Sequence, residues 1–428
     1  MSDPGEPKAF SEVGLPARLV RILTDQGITD MFPIQQVTLP DTLAGRDVLG
    51  RGRTGSGKTL AFALPMVARL SGGTRTPSHP TGLILVPTRE LATQVHATLE
   101  PFARAAGLRT TTVFGGVGQN PQVRALRSGV DILVACPGRL EDLIAQRQCF
   151  LDEVSVTVLD EADHMADLGF LPAVRRLLDK TPADGQRMLF SATLDKGVDV
   201  LVRRYLNQPV THAVDTPQSP VTAMVHHVLT VTAADKPVVL RRLAAGADRS
   251  LLFTRTKHGA RKLARSLTSA GLPAVDLHGN LSQSARERNL AAFSTGEVRV
   301  LVATDIAARG IHVDDVGLVV HADPPAEHKA YLHRSGRTAR AGAAGVVVTL
   351  ALPEQIGEVR TMTRRAGIAP QTTDVTPQAP LLAELAGPEM PPVAPEPVRQ
   401  PTHQPGRSSS RPARPSRGTR PRRPRRTG

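Results

Sequence analysis

The sequence has no tryptophan, two tyrosines and only 3% aromatic residues. So thin an aromatic complement argues against a surface on which bases stack. Cysteine is equally scarce, with Cys136 and Cys149 alone. Two thiols exclude a disulfide scaffold and any cysteine-based zinc module, and they suit a reducing cytoplasm. No apolar run approaches the ~20 residues that a spanning helix needs, so no membrane span is expected. The opening MSDPGEPKAF is polar, carries two prolines, and does not read as a secretory signal. Lysine supplies only eight of the 53 basic residues. Acids are missing altogether from residues 399–428, which hold ten arginines. The whole chain has a formal net charge of +14, so most of the basic excess sits in this tail.

What remains is ample for a folded protein. Hydrophobic residues make up 40% of 428, which excludes a wholly disordered chain. At about 150 residues per domain, that length suggests two or three domains. Short apolar runs alternate with helical patterns from residue 40 to 210: DVLG (47–50), LILV (83–86), DILVA (131–135), VTVL (156–159) and MLF (188–190). A second series follows with LLF (251–253), AVDL (274–277), VRVLVA (298–303), LVV (318–320) and GVVVTLAL (345–352). Such alternation predicts α/β architecture, with two doubly wound parallel sheets in tandem. The expected boundaries are a first domain at 1–207, a proline-containing linker at 208–222 and a second domain at 223–370. Residues 371–428 are rich in Pro, Gln, Ser and Arg, and are expected to be disordered.

GRTGSGKT (52–59) follows the strand DVLG and opens a helical pattern. Its spacing, G-x-x-x-x-G-K-T, is that of a phosphate-binding loop. Backbone N–H groups of Gly52, Arg53, Thr54, Gly55, Ser56 and Gly57 would wrap phosphates at a helix N-terminus. Lys58 would reach the terminal phosphates and Thr59 would ligate Mg²⁺. VTVLDEAD (156–163) puts acids at the end of a buried strand, where open parallel sheets bind ligands. Asp160 is suited to hold Mg²⁺, and Glu161 to orient or deprotonate an attacking water. ATP with Mg²⁺ is thus the expected cofactor pair.

At this point the chain resembles the DEAD-box RNA helicases of helicase superfamily two. Asp160-Glu161-Ala162-Asp163 is the name motif of that family. Around it stand PIQ (33–35), PTRELA (87–92), FGG (114–116), CPGR (136–139), SAT (191–193), LLFTRT (251–256), QSAR (283–286), ATDIAARGI (303–311) and HRSGRTAR (333–340), in the family's order. The resemblance implies two RecA-like domains and an RNA-dependent ATPase. It implies that Gln35 reads the adenine edge, with Phe10 supporting that loop. It further implies that Asp163, Ser191, Thr193 and His333 couple nucleotide state to domain closure. Asp305 would help to hold the nucleotide site, and Arg337 and Arg340 would act as arginine fingers from the second domain.

RNA is the implied partner, gripped largely independently of sequence through phosphate and sugar. The implied contacts are Thr88, Arg89, Gly115, Gly116, Gly138, Arg139, Gly279, Arg286 and Thr304. The basic tail would tether RNA electrostatically. Ribosomal or RNA-decay proteins are further expected partners, and the compact core with a basic tail looks most like the bacterial RhlE-type branch. Several positions depart from the family pattern. Its adenine-stacking aromatic is Ile28 here, the Pro-Thr before PIQ is Met31-Phe32, and the loop's leading Ala-Gln is Gly52-Arg53. Cys136, His312, Ser335 and Ala339 are the others. Two rival readings are an ATP-gated RNA clamp or chaperone, and a DNA translocase of the same superfamily.

Overall fold

The computed structural model describes residues 8–52, 55–194, 196–214, 224–308, 316–339, 345–389 and 391. Seven strands form the first sheet: β1 (Val48–Arg51), β2 (Gly82–Leu85), β3 (Thr110–Val113), β4 (Ile132–Ala135), β5 (Val156–Asp160), β6 (Gln186–Ser191) and β7 (Val210–Ala213). Seven more form the second: β8 (Met224–Thr230), β9 (Arg249–Phe253), β10 (Ala274–Leu277), β11 (Val300–Ala303), β12 (Val316–His321), β13 (Gly345–Ala351) and β14 (Gln371–Asp374). The spatial orders are β3-β4-β2-β5-β6-β1-β7 and β10-β11-β9-β12-β13-β8-β14. Every pairing is parallel. Counted from its own first strand, the second sheet repeats the first strand for strand, as two RecA-like domains in tandem should.

Helices cover both faces of each sheet, so the central strands must be apolar on both sides. In β2 and the residue after it, Ile84 and Val86 enter one core while Leu83 and Leu85 enter the other. In β6, Met188 and Phe190 face the first core and Leu189 the second. This alternation follows from the two-residue period of a strand. It explains why the central strands read as unbroken hydrophobic runs.

Both corrections to the expected boundaries concern the seventh strand of a sheet. The range expected as linker contains β7, which pairs with β1 from Val48↔Val210 to Arg51↔Ala213. The range expected as a disordered tail contains β14, paired with β8, and the helix Leu381–Ala386. Leu382 of that helix is fully buried against the core of the second domain, beside Val375 and Leu243. Edge strands are held by backbone hydrogen bonds on one side and need no apolar run. QTTD in β14 is exposed throughout, and VTHA in β7 only half-buries alternate residues. The edge strand β3, TTTV, lacks a hydrophobic run for the same reason. Residues 399–428 lie outside the described residues.

Candidate nucleotide and RNA site

Adjacency of three strands builds the site. β5, β6 and β1 lie side by side, so the segments that leave their C-terminal ends meet. These are DEAD, SAT and the phosphate loop. Arg51 stands opposite Ser191 in register, and the Gly52 N–H donates to the Ser191 carbonyl at 3.2 Å. In an open parallel sheet, this end of the strands is where ligands bind.

Gly57 ends the loop at φ +87°, and an added Cβ would lie 2.6 Å from Gln35 Nε2. Both the left-handed backbone and the crowding demand glycine there. Lys58 opens the helix Lys58–Leu70, is buried, and donates from Nζ to the Gly52 carbonyl at 2.8 Å. Thr59 follows it in the first turn, half-buried. Gly55 and Ser56 lie on the same loop; Arg53 and Thr54 are outside the described residues.

Gln35 is 1% exposed and ties its helix to this loop. The Phe32 N–H donates to Oε1 at 2.8 Å, and Nε2 donates to the Gly57 carbonyl at 2.9 Å. An amide has two acceptor sites and two donors, so one of each is left for a purine edge. Gln35 is therefore a structural clamp on the phosphate loop as well as the expected adenine reader. Phe10 is buried in the first core, and its N–H donates to the Thr29 carbonyl at 3.4 Å. Ile28 packs half-buried against the same core.

The two carboxyls at the end of β5 are driven in opposite directions. Burial pushes the Asp160 carboxyl up to about 7, although Lys58 pulls it down. Its Oδ1 accepts the Glu161 N–H at 3.0 Å. Burial would raise Glu161 as well. A hydrogen bond from His164, with the charges of His164, Arg337 and Lys58, outweighs it and holds Glu161 well below the usual carboxylate range. Glu161 itself has φ +51°, a left-handed conformation rare for a residue with a side chain. His164 Nδ1 lies 2.7 Å from Glu161 Oε2. Opposed environments on neighbouring acids are a common basis for dividing roles between them.

Asp163 joins DEAD to SAT. Its Oδ2 accepts the N–H and the Oγ1–H of Thr193, each at 2.9 Å, and its own N–H donates to Ser191 Oγ at 3.2 Å. Ser191 in turn donates to the Thr193 carbonyl at 2.8 Å. The second domain meets this network. The ring of His333 lies 5.8 Å from that of His164, the residue after the DEAD tetrad. Arg337 is buried, and its charge acts on Glu161. Arg340 is outside the described residues. Asp305 takes a bidentate ion pair from Arg334, at 2.5 and 2.8 Å.

The expected RNA residues divide into two groups. Gly115 and Gly138 border open space, and Gly279 has only the end of Lys257 near it. Thr88 caps the helix Arg89–Ala105, accepting the Leu91 N–H at 3.3 Å. Arg89 lies over Gly116, and Arg139 Nη1 donates to the Val117 carbonyl at 3.3 Å. Thr304 is buried at the end of β11. Arg286, also expected on RNA, contacts the first domain. Its Nε donates to Glu90 Oε1 of the first domain at 2.7 Å, and it reaches the carbonyls of His278 and Ala307 at 3.4 Å. Arg89 Nη1 and Gln283 Oε1 make a second, longer contact across the domains at 3.5 Å. Glu90, Gln283, Arg334 and His164 were not among the expected site residues. All four stand inside or next to the quoted motifs, which was the available signal.

Residues 32–201 match the family description DEAD/DEAH box helicase, and residues 235–342 match Helicase conserved C-terminal domain. The ATP-dependent RNA helicase RhlB of Sodalis glossinidius is 39% identical over 355 residues, covering 81% of this chain and 86% of that protein. The chain belongs to the DEAD-box RNA helicases. DEAD-box ATP-dependent RNA helicase 3A of Zea mays, described as chloroplastic, is 43% identical over 78% of the chain and 46% of its own length. The chain spans about half to three fifths of the first curated DEAD-box relatives it matches. Among solved structures, S. cerevisiae Dbp5 bound to RNA and ADP BeF3 superposes with a TM-score of 0.78 at 27% identity, covering 89% of this chain and all of that one. The likeness thus spans both RecA-like domains of this DEAD-box protein.

Proposed function

We propose that the protein is an RNA-dependent ATPase that locally separates RNA duplexes or remodels RNA–protein complexes. ATP and RNA together would close the two domains, and hydrolysis would let them reopen. The observation that carries this reading is that the second domain meets the DEAD segment, with the His333 and His164 rings 5.8 Å apart and the charges of Lys58 and Arg337, from opposite domains, both acting on Glu161. A phosphate placed among them would take up both positive charges. Glu161, relieved of them, would regain basicity toward an attacking water.

Mg²⁺ fits the residues present. The Asp160 carboxyl is buried and driven to about 7, and a divalent cation would keep it ionised. Asp160 and the Thr59 hydroxyl would hold the ion, which would neutralise phosphate charge. Glu161 would accept the water's proton, and Arg337 would stabilise charge on the terminal phosphate when the cleft closes. Arg340 is proposed as the second finger. The open glycine surfaces at Gly115 and Gly138 leave room for an RNA backbone to approach closely, and at Gly279 only the flexible end of Lys257 would have to move.

Residues 399–428 would tether RNA through their ten arginines, in a cytoplasmic protein of the RhlE-type branch acting with ribosomal or RNA-decay proteins. Neutralising five phosphates would add roughly −3.5 to the slope of log affinity against log salt. RNA-stimulated ATPase and strand-separation assays test the main reading. Lys58→Ala should abolish turnover, and Glu161→Gln should bind ATP and RNA yet stall. A passive RNA chaperone would keep its strand activity in both variants, and that result would overturn the proposal.

A further inference from the structure

The buried groups around Glu161 include one that the mechanism above leaves unused. His164 opens no motif, yet its side chain is 5% exposed and its Nδ1 lies 2.7 Å from Glu161 Oε2. At that distance the imidazole Nδ1 and the carboxyl oxygen share one hydrogen bond, with the ring nitrogen the natural donor. One carboxylate oxygen, Oε2, is thereby fixed. Its backbone position alone would not do this. Glu161 has a left-handed φ at the N-terminus of the short helix Ala162–Asp167, and its side chain accepts no capping bond there. The other face of the imidazole matters too. His164 Nε2 is buried without a hydrogen-bond partner among the described residues, and the ring sits 5.8 Å from His333 of the second domain. The imidazole is thus held between the acid it orients and the wall that the second domain supplies.

We propose that His164 is the positioning residue for Glu161, and that its contact with His333 makes this positioning strongest when the cleft is closed. The inference rests on the proposed ATPase reading. In the step concerned, the water oxygen bonds to the γ-phosphorus and the bond to the bridging oxygen breaks. The electron pair leaves with ADP, and the water's proton passes to the Glu161 oxygen that His164 does not hold. A misoriented carboxylate slows that step without altering how ATP or RNA is bound. Misplacement of a reacting group by about 1 Å costs on the order of 100-fold in rate.

The test compares His164→Leu with His164→Asn, because an asparagine Nδ2 stands where the histidine Nδ1 does. RNA-stimulated turnover is measured with the full chain, with KM for ATP, RNA affinity and the thermal melt alongside. His164→Leu should lower kcat at least tenfold with KM and RNA affinity within twofold, and His164→Asn should recover most of the loss. In a Glu161→Gln background, His164→Leu should cause no further loss. Unchanged kcat in His164→Leu overturns the proposal. So does an asparagine variant that folds and melts normally yet is as slow as the leucine one. If the parent protein itself fails to hydrolyse ATP with RNA, the ATPase reading fails and this inference falls with it, whereas an active parent with an unaffected His164→Leu overturns this inference alone.

Discussion

Arg286 of the second domain and Glu90 of the first form a nearly buried ion pair, Nε to Oε1 at 2.7 Å. The pair exists only while the domains are together, since each residue belongs to a helix of a different domain. Arg286 was expected on an RNA phosphate, and here its Nε latches the second domain to the first. If the latch matters, Glu90→Ala and Arg286→Ala should each weaken RNA binding in the presence of an ATP analogue. The double variant should lose little more than either single one, with a coupling energy on the order of 1–3 kcal/mol. RNA titrations on the four proteins check this. Additive losses would return Arg286 to the RNA surface.

Asp160 makes nucleotide-free stability depend on pH. Its carboxyl is raised to about 7 in the folded protein from an ordinary value of 3.8. The unfolded chain therefore ionises at this group first. Stability from Asp160 is full below about pH 4 and is lost as pH rises to about 7, at about 1.4 kcal/mol per unit. Asp160→Asn should consequently melt higher than the parent at pH 8 and no higher at pH 4, while abolishing hydrolysis. Melting curves without nucleotide or Mg²⁺ at the two pH values decide it. A uniform shift at both would mean that the effect is not titration.

Arg337→Ala should leave both domains folded, because Arg337 lies at the cleft rather than in a core cluster. Arginines that reach a transferring phosphate are worth about 10³–10⁵ in rate. RNA-stimulated turnover should fall steeply, whereas ATP binding to the first domain should change little. A loss under about threefold would rule out the closed-cleft arrangement as the active one.

Gln35→Glu should weaken ATP binding without lowering the melting temperature much. The substitution replaces the N–H that Gly57's carbonyl accepts with a second oxygen, so two acceptors face each other. A buried acceptor left without a donor costs about 1–3 kcal/mol, which here would loosen the phosphate loop. ATP titration should show roughly tenfold weaker binding, each 1.4 kcal/mol being a factor of ten. Unchanged affinity would show that the loop holds its shape without the Gln35 clamp.

The residues alone decided the fold class and the identity of the central groups. Parallel strands covered on both faces must be apolar throughout, so DILVA and VTVL announce themselves, and a phosphate loop needs glycines at fixed spacing. Lys58, Thr59, Asp160 and Glu161 were legible for that reason: local backbone geometry and charge type define them, whereas Arg337 was marked only by the family resemblance. Edge strands were not legible. Backbone pairing with one neighbour holds VTHA and QTTD, and no side-chain pattern records it. Nor could the sequence say which partner a side chain takes. Arg286 reaches Glu90, and Arg334 reaches Asp305, across 196 and 29 positions of chain. Only the order of strands and the meeting of two domains bring those charges within reach. The same holds for Glu161. Its type and place were written in the sequence, but its depressed carboxyl depends on His164 one helical turn on and on Arg337 from the other domain.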